Sequence, residues 1–349
     1  MDLLWLVIAF AVILLGAELF TNGIEWFGHK LGLAEGAVGS VLAAVGTALP
    51  ETMIPIIAIL FSAGHSTDEV GIGAILGAPF MLATLAMFVT GAAVLLAARR
   101  DGAGDALTVN TGILVHDLKI FAIGYSAAIA VALLPADLAW PRWLVAVGLL
   151  LLYAGYVREH LRAEAREGEP DPAPLRFHRF DRGAPPDATS PRLRIVGTQV
   201  ALALACIVGG AYLFVGAVSR VALTIGADEA LLALIIAPIA TELPEKFNSV
   251  IWIRQGKHTL AMGNITGAMV FQSAIPTSVA LIFASSGWAV TSGSLLAFGS
   301  AGIAFVSTAV IFVPLARGRA LRGRFLLLGG AFYLAYVGLV VARLSGVVH

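Results

Sequence analysis

Two glutamates in this chain, Glu51 and Glu245, each follow a proline and stand four residues after a threonine, inside long apolar segments. The stretches read Gly46-Thr47-Ala48-Leu49-Pro50-Glu51 and Ala240-Thr241-Glu242-Leu243-Pro244-Glu245. Proline has no N–H, so a helix through either stretch is kinked, and the carbonyl four residues back, that of Gly46 or Ala240, loses its donor. Positions i and i+4 share one helix face. Each stretch therefore offers a hydroxyl, a freed carbonyl and a carboxylate at one depth. These are hard oxygen donors, of which calcium takes six to eight at about 2.3–2.6 Å, and two carboxylates balance one divalent ion. A lone intramembrane glutamate would as readily pair with a neighbouring helix or hold a proton. A matched pair, each behind Thr-x-Leu-Pro, points to a cation site, because an ionisable group in a bilayer is costly and usually functional.

The pairing extends well beyond the motif. Sliding the chain by 194 positions aligns Gly16 through Glu51 with Gly210 through Glu245 without a gap, and eleven of those 36 positions are identical. The chain is thus an internal duplication. Its composition fixes the medium. Of 349 residues 59% are hydrophobic and 13% charged, with a mean hydropathy of +0.91; soluble domains carry about 25% charged residues. The fold class is all-α and integral to the membrane. A formal net charge of zero gives no basic surface for nucleic acid. The single Cys206 excludes an internal disulfide and a cysteine metal cluster. The apolar run Leu3 to Phe20 lacks a basic leader and has a repeat partner, so it reads as a span rather than a signal peptide.

Crossing ~30 Å of hydrocarbon takes about 20 residues, and the sequence predicts ten spans, at 3–28, 34–63, 70–98, 115–134, 139–157, 194–221, 228–253, 259–284, 289–315 and 324–345. Residues 158–193, rich in Arg, Glu, Asp and Pro, form a solvated linker. The expected domains are a first five-helix repeat at 1–157, the linker at 158–193 and a second five-helix repeat at 194–349. Five spans per copy is odd, so the second copy enters the membrane inverted. With both termini external, 18 of the 22 basic residues fall on cytoplasmic connections, the linker included. That asymmetry satisfies the positive-inside rule in a multi-pass cell-membrane protein. Inverted repeats are the architecture of alternating-access transporters.

The residues that carry the duplication resemble the two alpha-repeats of the cation/calcium exchanger superfamily, typified by sodium/calcium exchangers. In that family a Gly-Thr-Ser-x-Pro-Glu/Asp element is followed in the next span by Gly-Asn-x-x-Gly-Ser-Asn/Asp. Here the later element stands as Gly73-Ala74-Ile75-Leu76-Gly77-Ala78-Pro79 and Gly263-Asn264-Ile265-Thr266-Gly267-Ala268-Met269. The resemblance implies two helix bundles around a midplane site. It places the central glutamates at Glu51 and Glu245 and hydroxyl or carbonyl ligands at Thr47 and Thr241. Departures are plain: Pro79 and Met269 replace the Asn/Asp ligand, Ala78 and Ala268 the later serine, and Ala48 and Glu242 the earlier one.

The second repeat also brings charges that the first lacks, Glu242 and Lys246, where the first has Ala48 and Thr52. They stand in the favourable i, i+4 order and are expected to pair beside Glu245. The cation-binding candidates are therefore Glu51, Glu245, Thr47, Thr241, Glu242, Lys246, Gly46, Ala240, Asn248 and Asn264, with Glu51 and Glu245 as the metal-ligating carboxylates. Thr84, Thr266, Gln272 and Ser273 read as interhelical glue, and the Gly263/Gly267 spacing as close helix approach. Glu18, which matches Tyr212, reads as lining a vestibule or pairing near the interface.

The expected function is secondary antiport of calcium, or another divalent cation, against sodium or protons. No cofactor is implied; the partners are inorganic cations and the lipid bilayer, and no feature specifies an oligomeric state. The alternatives are a cation channel, or a non-transporting membrane protein with a degenerate exchanger site. No glycine loop with Lys-Ser/Thr supports an ATP-driven pump, and no His-Glu-x-x-His site supports an intramembrane enzyme.

Overall fold

The computed structural model describes residues 2–34, 36–61, 65–102, 104–163, 172–181, 190–224, 243–291 and 293–344. Every regular element among them is helical. Helix α1 spans Asp2–Lys30. A π-helical turn, Ala37–Ala43, leads into α2, Ala44–Phe61. Helix α3, His65–Met81, passes through a second π turn, Leu82–Ala86, into α4, Met87–Asp101. Then come α5, Thr111–Ala132, α6, Ala139–Arg162, a 3₁₀ turn at Arg176–Phe180, and α7, Leu193–Thr224. The last five are α8, Leu243–Arg254, α9, His258–Phe283, α10, Leu295–Ala316, the short α11, Gly323–Leu326, and α12, Leu328–Leu344. Ends follow local chemistry: Asn110 accepts from the N–H groups of Gly112 and Ile113 at the start of α5, and Gly102, at φ 64°, closes α4.

Eight helical stretches among the described residues are long and apolar enough to cross a bilayer, from Val7–Lys30 to Gly323–Arg343. They correspond to eight of the ten expected spans. The other two, 34–63 and 228–253, lie in part outside the described residues, and the first of them appears as a shorter apolar helix, Ala37–Ala48.

The chain forms two compact units, and each draws on both halves of the sequence. One comprises Met1–Pro50 and Val157–Asn264, the other Glu51–Tyr156 and Ile265–His349.

In the first unit α1 and α7 lie side by side through glycines. A Cβ on Gly16 would stand 3.0 Å from Ile207, one on Gly210 2.8 Å from Ile13, and one on Gly23 2.9 Å from Val200. Residue number rises along α1 as it falls along α7, so the helices run antiparallel. Gly16 aligns with Gly210 and Ile13 with Ile207, and the contact is therefore reciprocal: each copy's glycine receives the other copy's isoleucine. Glycine is required because a side chain there would force the backbones apart. The first π turn packs on α9 in the same way, with Gly39 against the Leu260 backbone and Gly263 against Ser40.

Part of the expected linker is built into this unit rather than solvated. Leu175 is buried with Trp26 and Val196. The Ala173 carbonyl accepts from Trp26 Nε1 at 2.7 Å and Asn22 Nδ2 at 3.0 Å. Asn22 and Gln199 accept the N–H groups of Arg176 and Phe177. The correction has a simple cause: three polar side chains on α1 and α7 bond the linker's backbone, so a segment with little apolar surface of its own still docks. Glu18 pairs with Arg176 at 2.9 Å, each about half exposed, which matches the expected interfacial pairing.

The second unit packs α3 against α10 and the second π turn against α12, where a Cβ on Gly329 would stand 2.3 Å from the Thr84 carbonyl. Carbonyls around Pro79 and this π turn take side-chain donors: Tyr125 and Ser300 bond Leu76, and Ser307 bonds Ala83 at 2.7 Å. Backbone irregularity survives at membrane depth only where protein supplies such partners. Arg142, fully buried, closes the turn between α5 and α6 by donating to the carbonyls of Leu134, Pro135, Leu138 and Trp288.

Candidate cation site

The first motif falls on α2, directly after a π turn. Within the first unit Thr47 is fully buried; its hydroxyl stands 3.0 Å from the Ala43 carbonyl and 3.3 Å from Asn264 Oδ1. One hydroxyl proton cannot serve both acceptors at once. The contact joins the earlier element of the first repeat to the later element of the second. Gly46 is held between α1 and α7: a Cβ would stand 2.8 Å from Phe20 and 3.2 Å from Leu204. Glycine thus lets α2 approach both helices.

The same unit holds most of the described part of the second motif. Lys246 and Asn248 on α8 are buried, at 4% and 0% exposure. Neither amide atom of Asn248 has a hydrogen-bond partner among the described residues. A fully buried amide left so would be costly, and such groups call for an explanation. Ser249 next to it is satisfied by the Ala261 carbonyl at 3.1 Å. Ala240, Thr241 and Glu242 lie outside the described residues, as does the side chain of Glu245; the expected Glu242–Lys246 pair falls there too.

In the second unit Glu51 is 8% exposed and Thr52 3%. Gln272, on α9, donates from Nε2 to Glu51 Oε1 at 2.5 Å and to Thr52 Oγ1 at 2.9 Å. Gln272 itself is fixed by packing, and its carbonyl receives the Thr277 hydroxyl at 3.0 Å. These contacts tie α9 to α2, as the sequence reading of Gln272 as interhelical glue expects, and they hold one oxygen of the Glu51 carboxylate. Its signal was an amide four residues before a proline, Pro276, in an apolar helix, which does not by itself name a partner.

A further carboxylate went unread. Asp117 on α5 is fully buried, accepting from Tyr156 at 3.0 Å and from Thr266 at 2.6 Å. A charged residue inside an apolar 22-residue helix was the available signal. Glu25 on α1, 8% exposed, accepts from Trp252 Nε1 at 2.7 Å and pairs with Lys257. Among the described residues no group of three His, Cys, Asp or Glu could hold a metal ion by itself.

A multi-pass membrane protein that is helical throughout its described residues and buries carboxylates in its spans has the character of an ion-transporting protein. The family model described as "Sodium/calcium exchanger protein" matches residues 1–158 and 197–345, leaving out little more than the linker, and the chain belongs to that family. It is thereby a cation exchanger and an antiporter by family. No curated protein sequence matches the chain. Among solved structures it resembles the sodium-calcium exchanger NCX_Mj soaked with 2.5 mM Na+ and 1 mM Sr2+, at 16% identity, TM-score 0.72 and 97% coverage of both chains. The same exchanger soaked with zero Na+ and Ca2+ matches at 16% identity and TM-score 0.71, covering 97% of this chain and 98% of that one. At such identity the likeness is one of fold.

Proposed function

We propose that the chain exchanges calcium, or another divalent cation, for sodium or protons by alternating access. Its architecture in this reading is ten spans in two inverted five-helix repeats, 1–157 and 194–349, joined by a cytoplasmic linker, with both termini external. The reciprocal Gly16–Ile207 and Gly210–Ile13 contacts support the inversion, because equivalent residues of antiparallel helices exchange places about a two-fold axis.

The ion site in this reading is built on Glu51 and Glu245, with Thr47, Thr241, Asn248, Asn264 and the carbonyls of Gly46 and Ala240 as neutral oxygens. The observation that carries it is Glu51, a buried carboxylate held by a donor rather than exposed to water. Thr47, one turn earlier on α2, faces the Asn264 oxygen. Asn248, whose amide has no hydrogen-bond partner among the described residues, adds an oxygen whose burial a bound cation would explain. Pro79 and Met269 provide no ligand, so fewer oxygens are left for monovalent ions than the family motif supplies. Lys246 occupies part of that place as a fixed cation beside Glu242. With Glu51, Glu242 and Glu245 the site then carries a net charge of −2, which one divalent or two monovalent ions neutralise.

The deciding experiment is calcium uptake into sealed proteoliposomes with sodium, protons or neither loaded inside. Uptake that requires an outward sodium or proton gradient supports exchange. Uptake that follows the calcium gradient alone identifies a channel, and no uptake under any gradient a degenerate site.

A further inference from the structure

We propose that the loop between α10 and α11 holds the headgroup of an anionic phospholipid. Arg319, Arg322 and Arg324 line one cavity there with Pro314, Ala320 and Phe325, and its volume is about 410 Å³. Ligand pockets usually measure ~300–1,000 Å³. Basic residues on a loop beside the membrane need no site to explain them, since topology alone favours them. What sets these three apart is that the backbone fixes each one. Helix α10 closes on Gly318, at φ 68°, whose N–H bonds the Leu315 carbonyl at 3.0 Å while the Arg319 N–H bonds that of Pro314 at 2.9 Å. This paired closure sets where Arg319 leaves the helix. Arg322 forms an antiparallel bridge with Ala106, flanked by bonds from the Leu107 N–H to the Leu321 carbonyl and from the Gly323 N–H to the Asp105 carbonyl, each 2.8 Å. Gly323 seats the next turn on α4, where its own Cβ would stand 2.8 Å from Val94. The Arg324 N–H reaches Asp105 Oδ2 at 3.4 Å. Three guanidinium groups are thus carried on pinned backbone, and only their side chains remain to be ordered on binding.

Their charge is left available. Asp105 stands 3.8 Å from Arg322 and 3.8 Å from Arg324, near enough to attract and too far to hydrogen-bond. Among the described residues no carboxylate pairs with Arg319. Three positive charges therefore face one negative one. In the docked linker, by contrast, Arg176 and Arg192 donate to Glu18 and Asp181, each at 2.9 Å. A phosphodiester supplies the missing anion, because guanidinium groups grip phosphate oxygens in pairs. The place of the cavity names a lipid as its source. Val306, Val310 and Val313 are exposed at i, i+4 and i+7, so they form one apolar stripe along α10, and Pro314 on the cavity wall stands four residues after Val310. Exposed Arg317 and Arg319 follow directly. The cavity thus lies where hydrocarbon gives way to water, with room for a headgroup above and acyl chains along the valines. Basic pockets at this level of a membrane protein recognise anionic headgroups. Lipid binding here does not depend on the exchange reading.

Two measurements on the purified full-length protein decide it. In native mass spectrometry, phosphatidylglycerol is expected to bind about thirtyfold more tightly than phosphatidylcholine of the same acyl chains, at about 1 kcal/mol for each of two uncompensated arginines. Arg319→Gln, Arg322→Gln and Arg324→Gln should each weaken phosphatidylglycerol binding by about fivefold. Arg254→Gln removes the same charge from the exposed end of α8 and should leave it unchanged. Equal affinity for the two lipids, or an equal loss in Arg254→Gln, overturns the site. If the other variants fail to fold, Arg319→Gln decides alone, because the Arg319 side chain is exposed and only its backbone is bonded. In thermal unfolding in neutral detergent, phosphatidylglycerol should raise the midpoint and inorganic phosphate should not. An equal rise with phosphate identifies a free-anion site and overturns the lipid assignment, as does the absence of any rise with the lipid.

Discussion

Gln272 reaches from α9 to Glu51 on α2 and donates to Oε1 at 2.5 Å, while its other contact holds Thr52. Gln272→Leu keeps much of the volume and removes the donor. It is expected to weaken cation affinity about tenfold, since a hydrogen bond to a charged group is worth roughly 1.5 kcal/mol. Isothermal titration of calcium into the purified protein checks this; unchanged affinity would remove Gln272 from the site.

Glu51→Gln and Glu245→Gln should each abolish transport with expression largely retained. The side chains are nearly isosteric, so charge is lost without a cavity. Flux at the parent level in either variant would take these residues out of the site.

In the proposed exchange of one divalent ion for two monovalent ones, which moves no net charge, Lys246, 4% exposed, serves as the fixed cation. Calcium flux is then expected to ignore an imposed membrane potential, whereas three-for-one exchange would feel about 2.3 kcal/mol per 100 mV. Lys246→Thr should acquire voltage dependence. Strong voltage dependence of the parent protein in potential-clamped proteoliposomes would rule the scheme out.

The α1–α7 contact predicts a position-specific packing effect. Gly210→Leu, driven against Ile13, should destabilise by about 1–3 kcal/mol through overpacking. Gly197→Ala on the same helix meets nothing within 4 Å and should be neutral or better, because alanine is the stronger helix former. Thermal unfolding of the detergent-solubilised variants separates the two; equal effects would mean that the glycines do not set the helix approach.

The linker gives a test of orientation. Cysteines introduced at Glu164 or Asp187, in a Cys206→Ser background, should resist impermeant thiol reagents on intact cells. Ready labelling from outside would reverse the topology and undo the inversion.

Much of this protein follows from its sequence alone. Hydrocarbon thickness and the cost of charge in it dictate long apolar helices, and those constraints act locally along the chain, so eight of the expected spans appear where hydropathy puts them. The duplication likewise singles out Thr47, Glu51 and the reciprocal Gly16 and Gly210, because a repeated Thr-x-Leu-Pro-Glu is visible without any partner. What only the tertiary structure decided is which distant groups meet. That Gln272 serves Glu51, that Asn264 faces Thr47, and that Asn22 and Gln199 seat the linker all depend on helix rotation and depth, which periodicity does not specify in spans that are apolar on every side. Asp117 shows the limit most clearly: the sequence puts one aspartate near the start of an apolar run and names no partner for it. Only the packing of α5 against Tyr156 and Thr266 shows it to be a fully buried carboxylate that accepts from both hydroxyls.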